Sequence, residues 1–188
     1  SSFFVISGLL ITKSFLDNPN PLAFLIKRVL RLMPALIVAV LFSAVIVGGA
    51  ATTLPFSEYI SRPETLDFIT SNILVFPVKF ALPGVFVGNP YPSAVNGSLW
   101  TLPIEVFAYG TILLLGVTRL LDRRHLVLFG FAFVVFMRTQ VAANDPHGGG
   151  TWLYMPIQQL QELIVVFLIG ALAYLYRDQI VISSGVAA

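Results

Sequence analysis

From Leu32 to Ser57 the chain carries no Asp, Glu, Lys or Arg, and the run is rich in Val, Leu, Ile and Ala. It exceeds the ~18 uncharged residues that separate a membrane span from a buried helix of a soluble protein, so a spanning helix is predicted there. Composition extends the argument to the whole chain. Of 188 residues, 57% are hydrophobic and 11% are charged, whereas a soluble domain carries about 25% charged residues. So few ionisable groups cannot cover a 20.5 kDa globule, and most of its surface must face a bilayer. At about 20 residues per span plus loops, the length holds about five or six helices. The expected fold class is all-α: a polytopic membrane helix bundle of about five spanning helices with one short re-entrant or interfacial segment, all within one partial domain over residues 1–188.

Punctuation divides the remainder. A helix is predicted from Phe3 to Leu16, closed by Asp17-Asn18-Pro19-Asn20-Pro21, a run that cannot continue it. The span from Leu32 has Pro34 in its first turn and Ala35, Ala39 and Ser43 on one small face, which suits helix packing. A weakly apolar segment from Phe68 to Phe80 is too short to span comfortably. Residues 83–97 are turn chemistry. Further helices are expected from Leu99 to Leu121, His125 to Val141 and Ile157 to Tyr176, with Asn144-Asp145-Pro146 and the 148–150 glycines as a loop. Placing Lys13, Lys27, Arg28 and Arg31 in the cytoplasm brings Arg119, Arg123, Arg124 and Arg177 inside as well, provided the 68–80 segment dips in and returns. The apolar run begins at Phe3 without a basic region or cleavage site, so a longer parent chain is expected.

With no cysteine there is no thiolate metal site and no thiol nucleophile, and no metal site is expected. Zinc-ligand spacings, phosphate loops and a basic-aromatic nucleic-acid surface are absent too. His147-Gly148-Gly149-Gly150 lacks the nucleophile elbow that an oxyanion loop would serve. Asn96-Gly97-Ser98 is a formal glycosylation sequon, set against Ser98 as a helix N-cap.

The informative residue is Glu105, an ionisable group in an apolar span, costly by roughly 2.5–3.5 kcal/mol unless it faces a cavity or a partner. Thr101 lies one turn behind it, and Pro103 cannot donate to the carbonyl of Leu99, which frees an acceptor. A carboxylate paired with Arg for packing alone is the plainer alternative. Lys27, Arg28 and Arg31 have the spacing of neighbouring helix positions. They either anchor topology or cradle the phosphates of a cytoplasmic donor. Glu162, among glutamines, reads as interfacial.

Three blocks together resemble the acyltransferase 3 family of bacterial membrane proteins: Phe3-Phe4-Val5-Ile6-Ser7-Gly8-Leu9-Leu10-Ile11; Lys27-Arg28 with Arg31 and Pro34; and Ser98-Leu99-Trp100-Thr101-Leu102-Pro103-Ile104-Glu105. They occur in the family's order and spacing. The resemblance implies an inner-membrane enzyme that moves an acyl group, often acetyl, from acyl-CoA to a hydroxyl of a cell-surface glycan or lipid-linked sugar. Acyl-CoA would be a substrate, with no bound cofactor and no nucleic-acid partner. Lys27 and Arg28 match the family's basic pair, joined by Arg31 as donor-phosphate ligands. Glu105 matches its glutamate and is the catalytic candidate, and Ser98, Trp100 and Thr101 would shape the acceptor pocket. The family's first helix, with its Arg and catalytic His, is expected to precede Ser1, and its last helices to follow Ala188. Alone, the chain is expected to be inactive. A transporter or flippase also uses an intramembrane carboxylate beside a disturbed helix, but symmetry-related halves would be expected; a non-catalytic membrane fragment is the third reading.

Overall fold

Asn20-Pro21 starts a helix well before the uncharged run begins. In the computed structural model, which describes residues 2–88, 94–144, 151–152 and 155–179, the Ala23 N–H donates to Asn20 Oδ1 at 3.0 Å. Pro21 takes the first helical position, where a missing N–H costs nothing. Helix α2 accordingly runs Pro21–Leu41 and passes through a π-helical stretch, Phe42–Gly48, into α3, Gly49–Ala51. This corrects the expected start at Leu32: Lys27, Arg28 and Arg31 lie within the helix, and Pro34 is an interior proline. The cap outranks the charge boundary because it decides where backbone N–H groups find acceptors.

The other elements fall near their expected places. Helix α1 spans Ser2–Asp17, α4 Phe56–Ser61, α5 Pro63–Ile73, α6 Leu102–Val117, α7 Arg124–Asn144 and α8 Ile157–Leu175. Among the described residues the only strands are β1, Thr151–Trp152, and β2, Met155–Pro156, paired antiparallel. The protein is thus all-helical in character. The stretch Pro21–Ala51 and the stretch Gly97–Val117 are long and apolar enough to cross a membrane. Large side chains such as Val38, Phe42, Phe129 and Phe133 are exposed, as a lipid-facing surface requires. The expected 68–80 segment is shorter still, since α5 ends at Ile73 and an irregular loop follows. The 145–150 loop and part of the 83–97 loop lie outside the described residues.

Two units divide the chain: residues up to Leu25 with those from Val106 on, and Ile26–Glu105. In the first, α1 and α8 meet backbone to backbone. A Cβ on Gly8 would stand 2.0 Å from the Phe167 carbonyl oxygen, and one on Gly170 1.9 Å from that of Val5. Two facing glycines let the axes approach closely, the device membrane helices use where apolar burial supplies no net drive. At one end Phe15 lies against Gly116, and the Arg124 guanidinium sits 5.1 Å over the Tyr176 ring. The C-terminal ends of α1, α6 and α8 and the start of α7 therefore share one end. Lys13, Arg119, Arg123, Arg124 and Arg177 lie toward it.

The second unit is built on α2. Leu36, Val40 and Ala44 from that helix and its π-helical continuation, Tyr59 and Phe68 from α4 and α5, and Leu82, Val85 and Leu99 from the chain beyond α5 form its core. Two polar devices order it. Asn72, buried, donates from Nδ2 to the Lys79 carbonyl at 3.0 Å and accepts the Lys79 N–H at 3.1 Å, replacing both partners a strand would supply. Tyr59 Oη donates to the Ala44 carbonyl at 2.6 Å, inside the π-helical stretch where the usual helical pattern is interrupted. Burial pushes the Tyr59 phenol above its ordinary pKa, so it remains a donor.

Candidate functional site

The π-helical stretch holds a residue that anchors the capped turn of the site. Ser43, in its first turn and buried, accepts from Asn96 Nδ2 at 3.4 Å. Asn96 in turn caps the 3-10 helix Gly97–Thr101: its Oδ1 accepts the Ser98 N–H at 3.1 Å and the Ser98 hydroxyl at 2.6 Å. Asn96, not Ser98, is therefore the N-cap, which corrects the sequence reading. The preference for Asn and Ser at that position is equal. In the sequence alone Asn96 reads only as part of a sequon. The signal is nonetheless present, since Asn-Gly-Ser before an apolar run is also cap chemistry.

Pro103 acts otherwise than expected. The Leu99 carbonyl that it cannot serve is taken by the Leu102 N–H. The first turn tightens to i→i+3 bonding, so no acceptor is left open. Thr101 Oγ1 donates to the Ser98 carbonyl at 3.1 Å, holding the same short turn. Glu105 comes one turn after Thr101 near the start of α6 and is half-buried.

Between α2 and this capped turn lies a cavity of about 220 Å³, with Arg31, Ala35 and Ala39 on one side and Asn96, Ser98 and Leu102 on the other. The two alanines leave the space, and Arg31, Asn96 and Ser98 supply the polar lining. At 1.5 Å per residue Arg31 stands roughly 15 Å along the helix from Pro21, about half the thickness of a bilayer core. A cation at that depth beside a cavity carries a functional presumption.

Of the residues singled out in the sequence, Arg31 and Ser98 are brought to one cavity. Lys27 and Arg28 precede it on α2, Lys27 exposed and Arg28 buried. Trp100, Thr101 and Glu105 belong to the same short turn and helix start as Ser98 but do not line that cavity. A hydroxyl whose proton is committed to Asn96 offers only its lone pairs to a ligand. The cavity thus presents a cation, Arg31, and an acceptor held in place by Asn96.

The sequence matches a known family. A family model described as "Acyltransferase domain" matches residues 1–186. The chain is a member of that acyltransferase family. Nodulation protein 10 of Rhizobium leguminosarum bv. viciae is 34% identical over 119 residues, 58% of this chain and 30% of that protein. The O-acetyl transferase of Shigella phage Sf6 is 31% identical over 107 residues, 57% of this chain and 31% of that protein. The chain spans under a third of the length of these curated relatives. No solved structure matches it.

Proposed function

We propose that this chain is part of a membrane-bound acyltransferase that moves an acyl group, acetyl in the simplest case, from acyl-CoA to a hydroxyl of a surface glycan or lipid-linked sugar, in the bacterial inner membrane. The observation that carries the reading is the cavity shared by Arg31 and Ser98, in a chain that belongs to an acyltransferase family. The name of the phage relative favours acetyl as the group transferred.

Five spans fit this reading, α1, α2 with its π-helical continuation, α6, α7 and α8, with α4 and α5 kept to one side of the membrane. The basic end of the first unit then faces the cytoplasm, as the positive-inside rule asks. Lys27 and Arg28, nearer the start of α2, hold the donor's phosphates as point charge and planar fork respectively. Arg31 continues that cationic path into the cavity.

The chemistry is balanced by one proton. The acceptor oxygen attacks the thioester carbonyl, the carbon–sulfur bond breaks, and the hydroxyl proton passes through the base to the departing thiolate, giving the free thiol. Donors must hold the oxyanion and a base must take the proton. Arg31 is placed to help with the first. Ser98, whose lone pairs face the cavity, accepts from a donor group of the sugar, while Trp100 and Thr101 keep the turn in shape. Glu105 orients and charges the base, which the family resemblance assigns to a histidine outside this chain.

The test is donor binding by the full-length protein. Lys27→Ala with Arg28→Ala is expected to weaken binding of acetyl-CoA about tenfold or more, since hydrogen bonds to charged groups are worth ~1.5–3 kcal/mol. Binding left intact would remove the basic pair from the donor site.

A further inference from the structure

A second cavity, about 440 Å³, lies in the first unit at the end where α1 and α6 finish. Its size is that of a small-molecule site. Phe15, Leu16 and Val117 give it apolar walls, and Arg119 and Asp122 both line it. Nothing in the acyl-transfer reading uses it.

Three observations bear on what it holds. The first is depth. Pro21 begins one candidate span and Val117 ends the other, and both line this cavity, which sets it at the level of lipid headgroups rather than in the hydrocarbon. The second is charge. Arg119 and Asp122 face the same space, yet no ion pair joins them within 4 Å among the described residues. Unjoined at one cavity, they suit a ligand with an anion and a cation of its own.

The third is the backbone. The Arg119 N–H donates to the Gly116 carbonyl at 3.0 Å and the Leu120 N–H to that of Leu115 at 2.8 Å, the paired bonds of a Schellman helix ending. Arg119 occupies its left-handed position at φ 56°, where glycine is usual because a side chain is strained there. A large cation in a glycine's place points to a use for that side chain.

We propose that this cavity binds the headgroup of an aminophospholipid, with Arg119 holding the phosphate, Asp122 accepting from the primary ammonium, and the apolar wall receiving the start of the acyl chains. Bidentate pairing of guanidinium with phosphate and ammonium with carboxylate uses both charges at once. An anionic lipid satisfies only Arg119, and a quaternary ammonium has no N–H to give Asp122. The site is independent of the acyl-transfer reading.

Native mass spectrometry of the detergent-purified full-length protein tests it, after incubation with equal amounts of palmitoyl-oleoyl phosphatidylethanolamine, phosphatidylglycerol and phosphatidylcholine. The wild type is expected to retain the ethanolamine lipid about tenfold over either competitor, one charge-assisted hydrogen bond's worth. Asp122→Asn is expected to abolish the preference over phosphatidylglycerol, Asp122→Glu to keep it, and Arg119→Gln to lose retention of all three. Soluble phosphoethanolamine, which lacks the chains, is expected to displace the lipid at least about tenfold more weakly. Equal retention of the three lipids by the wild type, or unchanged selectivity in Asp122→Asn, would overturn the proposal. Equal competition by soluble phosphoethanolamine would overturn the assignment to a lipid.

Discussion

Replacing Gly48 by Ala should be costly in the wild type and much less so when Tyr59 is already Phe. A Cβ on Gly48 would stand 2.0 Å from Tyr59 Oη and 2.9 Å from Leu82 Cδ1. Ordinary contact begins at 3.4 Å, about 1.4 Å beyond the first of these distances, and the phenol cannot yield without leaving the Ala44 carbonyl, to which it donates at 2.6 Å. Gly48→Ala therefore combines overpacking, about 1–3 kcal/mol, with loss of a buried hydrogen bond, about 1–3 kcal/mol for the unsatisfied group. Tyr59→Phe removes the hydrogen bond alone and, with it, the hard contact. In that background the 2.0 Å clash is gone and the added methyl meets Leu82 Cδ1 at 2.9 Å and the ring Cζ at 3.0 Å, so a smaller overpacking cost remains. The double-mutant cycle should show a coupling of about 1–2 kcal/mol between the two positions, measured by reversible unfolding of the detergent-solubilised protein with helicity as the signal. Strict additivity would refute the claim that Gly48 is small because Tyr59 reaches the backbone past it.

Other consequences are shorter. Gly8→Leu or Gly170→Leu should separate α1 from α8, since even a Cβ falls 2.0 or 1.9 Å from a facing carbonyl oxygen; thermal denaturation should show a loss of about 2 kcal/mol or more. The Asp67 carboxyl accepts from Ser71 at 2.8 Å and pairs with Lys79 at 3.2 Å, and these partners hold its pKa below the usual 3.8. A carboxylate depressed in the folded state contributes stability above its unfolded pKa and loses it as pH falls through the folded value. Exchange protection of the 72–79 loop should therefore be flat through neutral pH and fall only below about pH 4, and the fall should vanish in Asp67→Asn. Asn96→Ala should weaken the 97–101 turn by about 1 kcal/mol, typical of a lost N-cap, and raise KM for the acceptor more than for the donor; equal changes in both would argue against a Ser98 fixed by Asn96.

Much of the fold is legible in the sequence because membrane helices announce themselves through absent charge. The Phe3–Leu16 helix and those beginning near His125 and Ile157 fall within about a turn of α1, α7 and α8. Hydropathy misplaces the start of α2 for a physical reason: Lys27, Arg28 and Arg31 break the apolar run but not the helix, and the cap at Asn20 lies well over two turns before the hydropathy boundary. The π-helical stretch cannot be read at all, and the tyrosine from α4 that donates to its Ala44 carbonyl is joined to it only by the tertiary fold. At the site, residue types are readable and grouping is not. Arg31 and Ser98 can be named from their neighbours, but their shared cavity depends on the alanines of α2 lying opposite a turn capped by Asn96. Asn72, which carries the 72–79 loop, leaves no local signal, because its partner is a backbone group fixed only by the tertiary fold.

The most direct test of the central claim is acyl transfer by membranes containing the full-length protein with Glu105→Gln, followed as label from acetyl-CoA into the surface glycan fraction. The substitution keeps the size of the side chain and one acceptor oxygen, replaces the other oxygen with an NH2 donor, and removes the charge. If Glu105 charges the base, turnover should fall by about 10²–10⁴ while acetyl-CoA still binds normally. Transfer at the wild-type rate would contradict the account.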